Sequence, residues 1–125
     1  MLSSANIRFD FPVKDLKRAK KFYAQSLGLI CNYENDYCAQ YRYGKSYFVL
    51  TPSESAGKAE HSLLTWLVED IQSVKAWLEK QGVVFESYDF KAAKTENEIV
   101  KLGNDFIAWF KDSEGNLLAI AQIES

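Results

Sequence analysis

The sequence predicts an α+β fold built from two paired βαβββ modules. Three observations predict it. The stretch "VKDLKRAKKFYAQSLGL" (Val13 to Leu29) is echoed by "VEDIQSVKAWLEKQGV" (Val68 to Val83). Val13, Asp15, Leu16, Ala19, Lys20, Phe22 and Tyr23 match Val68, Asp70, Ile71, Val74, Lys75, Trp77 and Leu78 at a constant offset, the mark of an internal repeat. Each echo carries helical spacing and is followed by short runs with strand alternation. At 125 residues, 47% hydrophobic and 26% charged, the chain has the composition of one globular domain, with a core that two halves share.

The elements follow in order. "NIRFDFPV" alternates, with Ile7, Phe9, Phe11 and Val13 on one face and Arg8 and Asp10 on the other, as a half-buried strand does. Asp15 then stands at an N-cap position. Leu16, Ala19, Phe22, Tyr23 and Leu27 recur at helical spacing until Gly28 ends the helix. "LICNYEN", "YCAQYRYG" and "SYFVLTP" read as three strands separated by Asn35-Asp36 and Gly44-Lys45. The small, polar "SESAGKAE" reads as a linker over residues 53–60, between a first module at about 5–52 and a second at about 61–123. The second module opens with "SLLTWLV", a cap at Asp70, and an apolar stripe of Ile71, Val74, Trp77 and Leu78 that ends at Gly82. "VVFESYDF" reads as a strand, and "KAAKTENEIVKLG" as a polar stretch without a clear period. "DFIAWFKD", the turn "SEGN" and "LLAIAQI" complete the unit. One helix covers only one face of its sheet, so the modules are expected to pair edge to edge or to exchange between chains. Their uncovered faces then enclose a concavity.

Charge and cysteine usage exclude several classes. Fifteen basic and seventeen acidic side chains leave a net charge of -2, which favours neither nucleic acid nor an anionic membrane. Lys14, Lys17, Arg18, Lys20 and Lys21 are the solvated face of an amphipathic helix. No apolar run reaches the roughly 18 residues of a membrane span, and "MLSSANIRF" is not a signal peptide, so a cytoplasmic location is expected. Cys31 and Cys38 have neither CxxC spacing nor a set of histidines to join, and are expected to be reduced structural thiols.

The first echo, the later "V-x-D-I" with Gly82-Val83, and the closing "D-S-E-G-N" of Asp112 to Asn116 resemble the vicinal oxygen chelate superfamily. That group includes glyoxalase I, bleomycin resistance proteins, fosfomycin resistance enzymes and extradiol dioxygenases. The resemblance implies paired βαβββ modules forming a U-shaped mixed sheet, a homodimer, and a site inside the trough of that sheet. In the metalloenzymes of the family, each module supplies one metal ligand from its first strand and one from its last. In this sequence those places hold Arg8, Leu63, Leu50 and Ala119. Three are aliphatic and the fourth is a fixed cation without an acceptor, so no metal and no cofactor are expected. His61, the lone histidine, makes one ligand and not a site, and no nucleophile with a neighbouring base stands out.

Strand counting from Arg8 turns Asp10, Phe48, Leu50, Leu63, Thr65, Leu67, Leu117 and Ala119 into the trough, while Phe9 and Phe11 pack beneath the helix. Gln40 and Arg42 join this set, and either Trp109 or Phe110 must face it. The lining is mainly apolar with a few polar points, as a small-molecule site requires. Arg8 is placed to meet a carboxylate, phosphate or phenolate, or else to pair internally with Asp10. Three readings stand. The first is a metal-free small-molecule binding protein of the bleomycin-resistance type, holding a small aromatic or anionic compound. The second is a glyoxalase-like lyase or isomerase with a noncanonical site. The third is a dimeric interaction module whose trough is filled by its own side chains.

Overall fold

The computed structural model describes residues 1–88 and 94–123. After a single 3-10 turn (Leu2–Ser4), the first module runs β1 (Arg8–Val13), α1 (Leu16–Gln25), β2 (Tyr33–Glu34), β3 (Ala39–Tyr43) and β4 (Ser46–Pro52). The second runs β5 (Leu64–Leu67), α2 (Ile71–Lys80), β6 (Lys94–Glu96), β7 (Ile99–Leu102), β8 (Asp105–Lys111) and β9 (Leu117–Gln122). The two sheets follow one plan, with one more strand in the second. In the order β1-β4-β3-β2, β1 is parallel to β4 and the rest are antiparallel; in β5-β9-β8-β7-β6, β5 is parallel to β9 and the rest are antiparallel. The fold is α+β with two mixed sheets and two helices.

Both helices start where the sequence places their caps. The Asp15 carboxylate accepts from Arg18 N–H at 3.0 Å, and Asp70 accepts from the Ser73 backbone and hydroxyl at 3.3 and 2.8 Å. Each bond satisfies a donor that a helix start would otherwise leave free. Ala19 and Tyr23 on α1, and Ile71, Lys75 and Leu78 on α2, form the buried stripes. Trp77, expected in the second stripe, is instead 44% exposed. Its ring lies against Gly28, which sits at φ +72 at the end of α1; a Cβ there would stand 2.9 Å from the tip of the indole. Within the polar stretch without a period, residues 91–93 lie outside the described residues and residues 94–102 form the β6–β7 hairpin. Its turn places Asn97 and Glu98 at φ 55 and 60, without the glycine that usually marks such a turn. Of the strand expected at residues 83–90, one bridge is present, Phe85 to Phe110, with Glu86 N–H donating to the Trp109 carbonyl; residues 89–90 lie outside the described residues.

The helix-bearing faces of the two sheets share one core. Phe11, Val13, Tyr41, Phe48 and Leu50 come from the first sheet, and Ala108, Phe110, Leu118 and Ile120 from the second, with helix residues between them. Phe48 stacks on Tyr41 at 4.9 Å and meets Trp66 edge-on at 6.5 Å, so aromatic contact crosses from one module to the other. Burial of each such side chain is worth roughly 1.5–3 kcal/mol. No ladder joins β1 to β5 among the described residues, so within one chain the U-shaped sheet is divided into two sheets, each with a free edge strand.

The turn after β8 ties the modules together. Tyr23 Oη donates to Asp112 Oδ2 at 2.7 Å, inside the core. Glu114 accepts from Arg18 Nε and Nη2 at 2.8 and 2.9 Å, and from the Lys14 and Asp15 backbone N–H groups at 3.0 and 2.8 Å. Asn116 donates to the Pro12 carbonyl at 2.8 Å and accepts from Gly57 N–H at 3.0 Å, which docks the expected linker on the same turn. Asp112, Glu114 and Asn116 are buried, and no buried side-chain nitrogen or oxygen among the described residues lacks a partner. Among the described residues no helix is long and apolar enough to cross a membrane.

Candidate functional site

Strand alternation and register set what each sheet presents on the face without a helix. In the first sheet, Val49 stands between Asp10 and Gln40, and Tyr47 between Arg8 and Arg42, each trio in one row across the strands. Arg8, Asp10, Gln40 and Arg42 therefore share one face. Arg8 Nε and Asp10 Oδ1 are 3.0 Å apart, but their side chains are 56% and 59% exposed. An ion pair so open to water is worth at most about 1 kcal/mol, and does not hold the guanidinium away from an incoming anion. Phe48 and Leu50, expected beside Arg8, lie on the opposite face: β1 is parallel to β4 with Phe9 opposite Phe48 and Phe11 opposite Leu50, so both belong to the core side with Phe11.

The second sheet gives a different surface. Thr65 stands opposite Ala119, which stands opposite Trp109, and Leu67 opposite Ala121. Ala119 and Ala121 are small and buried beneath this face, with Trp109 beside Ala119 and in edge contact with Tyr88 at 5.5 Å. Leu63 lies at the head of β5, its N–H donating to the Leu117 carbonyl at 2.8 Å. Phe110 turns to the core, stacked on Trp66 at 6.3 Å, so Trp109 is the member of that pair on the uncovered face. The structure thus sorts the expected lining into a polar face (Arg8, Asp10, Gln40, Arg42), a face with Thr65, Trp109 and Ala119, and residues of the core (Phe48, Leu50, Phe110), against which Leu63 also packs. An apolar groove of about 280 Å³ runs between the edges, lined by Phe9, Tyr43, Tyr47, Leu64, Thr65 and Leu67. Trp66 Nε1 donates to Tyr43 Oη at 2.8 Å across it. Tyr47 and Thr65 make the groove continuous with both uncovered faces.

A divalent cation does not fit this donor set. Arg8, Leu63 and Ala119 offer no acceptor, Leu50 is in the core, and His61 is exposed at the end of the linker. Among the described residues no three His, Cys, Asp or Glu side chains converge.

Two groups that sequence reasoning passed over stand out. Lys75 is buried, with Nζ 3.2 Å from Glu79, 3.1 Å from Glu98, and 5.1 Å above the Phe85 ring. It borders an open cavity of about 700 Å³ between α2 and the β6–β7 hairpin, with both polar and apolar walls. Its place four residues after Ile71, within the apolar stripe, was the available signal. Glu114 is the second: burial opposes its ionisation, but hydrogen bonds from Arg18, Ser113 and Asp15 N–H, with the Arg18 charge, lower its pKa to about 2. Tyr23 is shifted upward by burial and then by the charge of Asp112, so it remains a neutral donor. Burial likewise raises the Cys31 thiol.

No curated protein sequence matches the chain. Among solved structures it is similar to UcmS2 (TM-score 0.77, 19% identity, 96% of this chain and 98% of that one). It is also similar to lactoylglutathione lyase from Agrobacterium tumefaciens (0.70, 16%, 95% and 93%) and to TnmS3, an antibiotic binding protein from Streptomyces sp. CB03234 (0.66, 22%, 99% and 99%). At these identities the likeness speaks for the fold. A family profile matches residues 7–120, nearly the whole chain, and shows that the chain belongs to the Glyoxalase/Bleomycin resistance protein/Dioxygenase superfamily.

Proposed function

We propose that the chain is a metal-independent small-molecule binding protein of the cytoplasm, holding an anionic aromatic compound between the polar face of one module and the Trp109 face of another. The observation that carries this reading is the division of labour between the uncovered faces. One presents Arg8 and Arg42 with Asp10 and Gln40; the other presents Trp109 beside the small, buried Ala119. Guanidinium groups match a carboxylate, phosphate or phenolate, and a flat ring beside small side chains suits an aromatic body. In a single chain the faces belong to separate sheets. A homodimer with β1 of one copy beside the partner's β5 would set them opposite each other, and both strands have a free edge. The antibiotic-binding relative among the similar structures supports a binding role, and the aliphatic side chains at the metal-ligand positions favour binding over metal-assisted chemistry.

Several apolar contacts and one charge-assisted pair correspond to micromolar affinity, about -8 kcal/mol. The test is native mass spectrometry of protein purified without chelator, followed by thermal-shift titration with benzoate, salicylate and larger aromatic carboxylates. A metal-free dimer stabilised by such compounds, with the shift reduced in Arg8→Ala and Trp109→Ala, is the expected result. One tightly held metal per chain, or unchanged melting across the panel, overturns the reading.

A further inference from the structure

We propose that the cleft between the two helices is a second binding site, for a small uncharged aromatic molecule. It lies on the helix-bearing side of the second sheet and measures about 160 Å³. Its walls come from both modules: Leu27 and Leu29 after α1, Val74 and Trp77 on α2, and Trp66 and Phe110 from the sheet. Every lining residue is Leu, Val, Ile, Phe or Trp. The Trp66 N–H is already engaged with Tyr43.

This composition decides what can occupy the cleft. An ordered water needs two to four polar partners and finds almost none in it. An engineered apolar cavity of about 150 Å³ in another protein stays dry and takes benzene or xenon, so a space of this size and lining suits one or two fused rings. A carboxylate would lose its hydration with nothing to replace it, whereas an uncharged ring would gain contacts on several sides. Trp66 and Phe110, whose planes differ by 15°, form a flat wall. Trp77, partly exposed and braced against Gly28, forms the rim. The site is separate from the proposed trough, because Trp109 and Ala119 lie on the other face of the same sheet. Its preference is also opposite: the trough is charged and selects anions, while the cleft excludes them.

The experiment uses the full chain with labelled methyl groups, titrated with indole and naphthalene and, separately, with benzoate. Saturable shifts at Leu27, Leu29, Val68 and Val74 on adding indole, without shifts there from benzoate, are expected. Val74→Phe fills the space and weakens indole binding by about tenfold or more, which equals about 1.4 kcal/mol. Val74→Ala enlarges the space and retains binding, so the inference stays testable even if the larger side chain disrupts folding. No shift at these methyls up to the solubility limit of indole overturns the proposal, as do shifts confined to Thr65 and Ala119. Shifts at Leu27 and Val74 that follow protein concentration alone also overturn it, by showing that a second copy covers the cleft. Failure of the trough reading is seen separately, in the response of Thr65 and Ala119 to benzoate.

Discussion

Replacing Glu114 by Gln tests how the modules are joined. The carboxylate is buried and receives two bonds from Arg18 and two from backbone N–H groups at the start of α1. Its pKa is lowered from 4.5 to about 2 in the folded chain, which corresponds to about 3 kcal/mol of stability if the unfolded value is unperturbed. Arg18 is half exposed, so solvent screens part of this, and about 2 kcal/mol is the working figure. Because the folded pKa is depressed, the contribution is complete above the unfolded value. It is lost as pH falls from about 4.5 through about 2. Urea unfolding at about pH 7 is expected to show E114Q less stable by about 2 kcal/mol, a midpoint shift on the order of 1 M. As the pH is lowered from about 5 to about 3, the wild type loses stability toward the variant and the two curves converge. Equal midpoints near neutral pH, or a constant gap across the acid range, would refute the assignment of Glu114 as the ionised tie.

Three further substitutions have defined outcomes. Tyr23→Phe removes a buried donor to the Asp112 carboxylate and should cost about 2 kcal/mol in urea unfolding; a loss under about 0.5 would show that the remaining donors, Asn116 and the Glu114 N–H, suffice for Asp112. Lys75→Met keeps the apolar stem and leaves Glu79 and Glu98 with solvent access, so it should cost about 1 kcal/mol. Lys75→Glu buries a third carboxylate and should cost more than about 3, and equal losses in the two variants would contradict the ion-pair description. Gly28→Ala and Gly44→Ala both force alanine into a left-handed conformation, at about 1–2 kcal/mol each. Only the Gly28 variant also displaces Trp77, so calorimetry should find it the less stable of the two.

What could be read from the sequence was local. Asp15 and Asp70 announce both helix starts because a cap acts within three residues, and alternation in β1 separates Arg8 and Asp10 from Phe9 and Phe11. Alternation within one strand does not fix which face a neighbouring strand shares with it; register does. The expectation for Phe48 and Leu50 failed there, since the parallel pairing of β1 with β4 sets Leu50 opposite Phe11. The β6–β7 hairpin was hidden because Asn97 and Glu98 take the positive φ angles of its turn without glycine. The roles of Glu114 and Asn116 depend on partners about a hundred residues away, Lys14, Arg18 and Pro12, which no periodicity reveals. The repeat aligns Lys75 with Lys20, a residue of the solvated face, yet Lys75 is buried and pairs with a second carboxylate, on the hairpin.

The free edges of β1 and β5 bear directly on the proposed trough. Leu67 on β5 is 72% exposed and, with Phe9 and Tyr43, borders the groove between the sheets; apolar side chains on an unpaired edge mark a surface suited to strand pairing or interface burial. Each uncovered face alone is a poor site, because the Arg8 guanidinium acts through water at high dielectric and an anion gains little there. Opposed by the Trp109 face of a second copy, the same guanidinium would act in a drier space where its attraction counts for more. On the proposed reading, ligand binding and dimerisation are therefore coupled, and coupling is reciprocal. Apparent affinity for an aromatic carboxylate should rise with protein concentration, and a saturating ligand should shift the monomer–dimer balance toward dimer by the same factor in analytical ultracentrifugation. Leu67→Lys, at the edge of β5, should weaken both together by placing a charge in the proposed interface. Ligand affinity that is independent of protein concentration, or a Leu67→Lys variant that is monomeric yet binds as well as the wild type, would place the whole site within one chain and remove the reason for setting the two faces opposite each other.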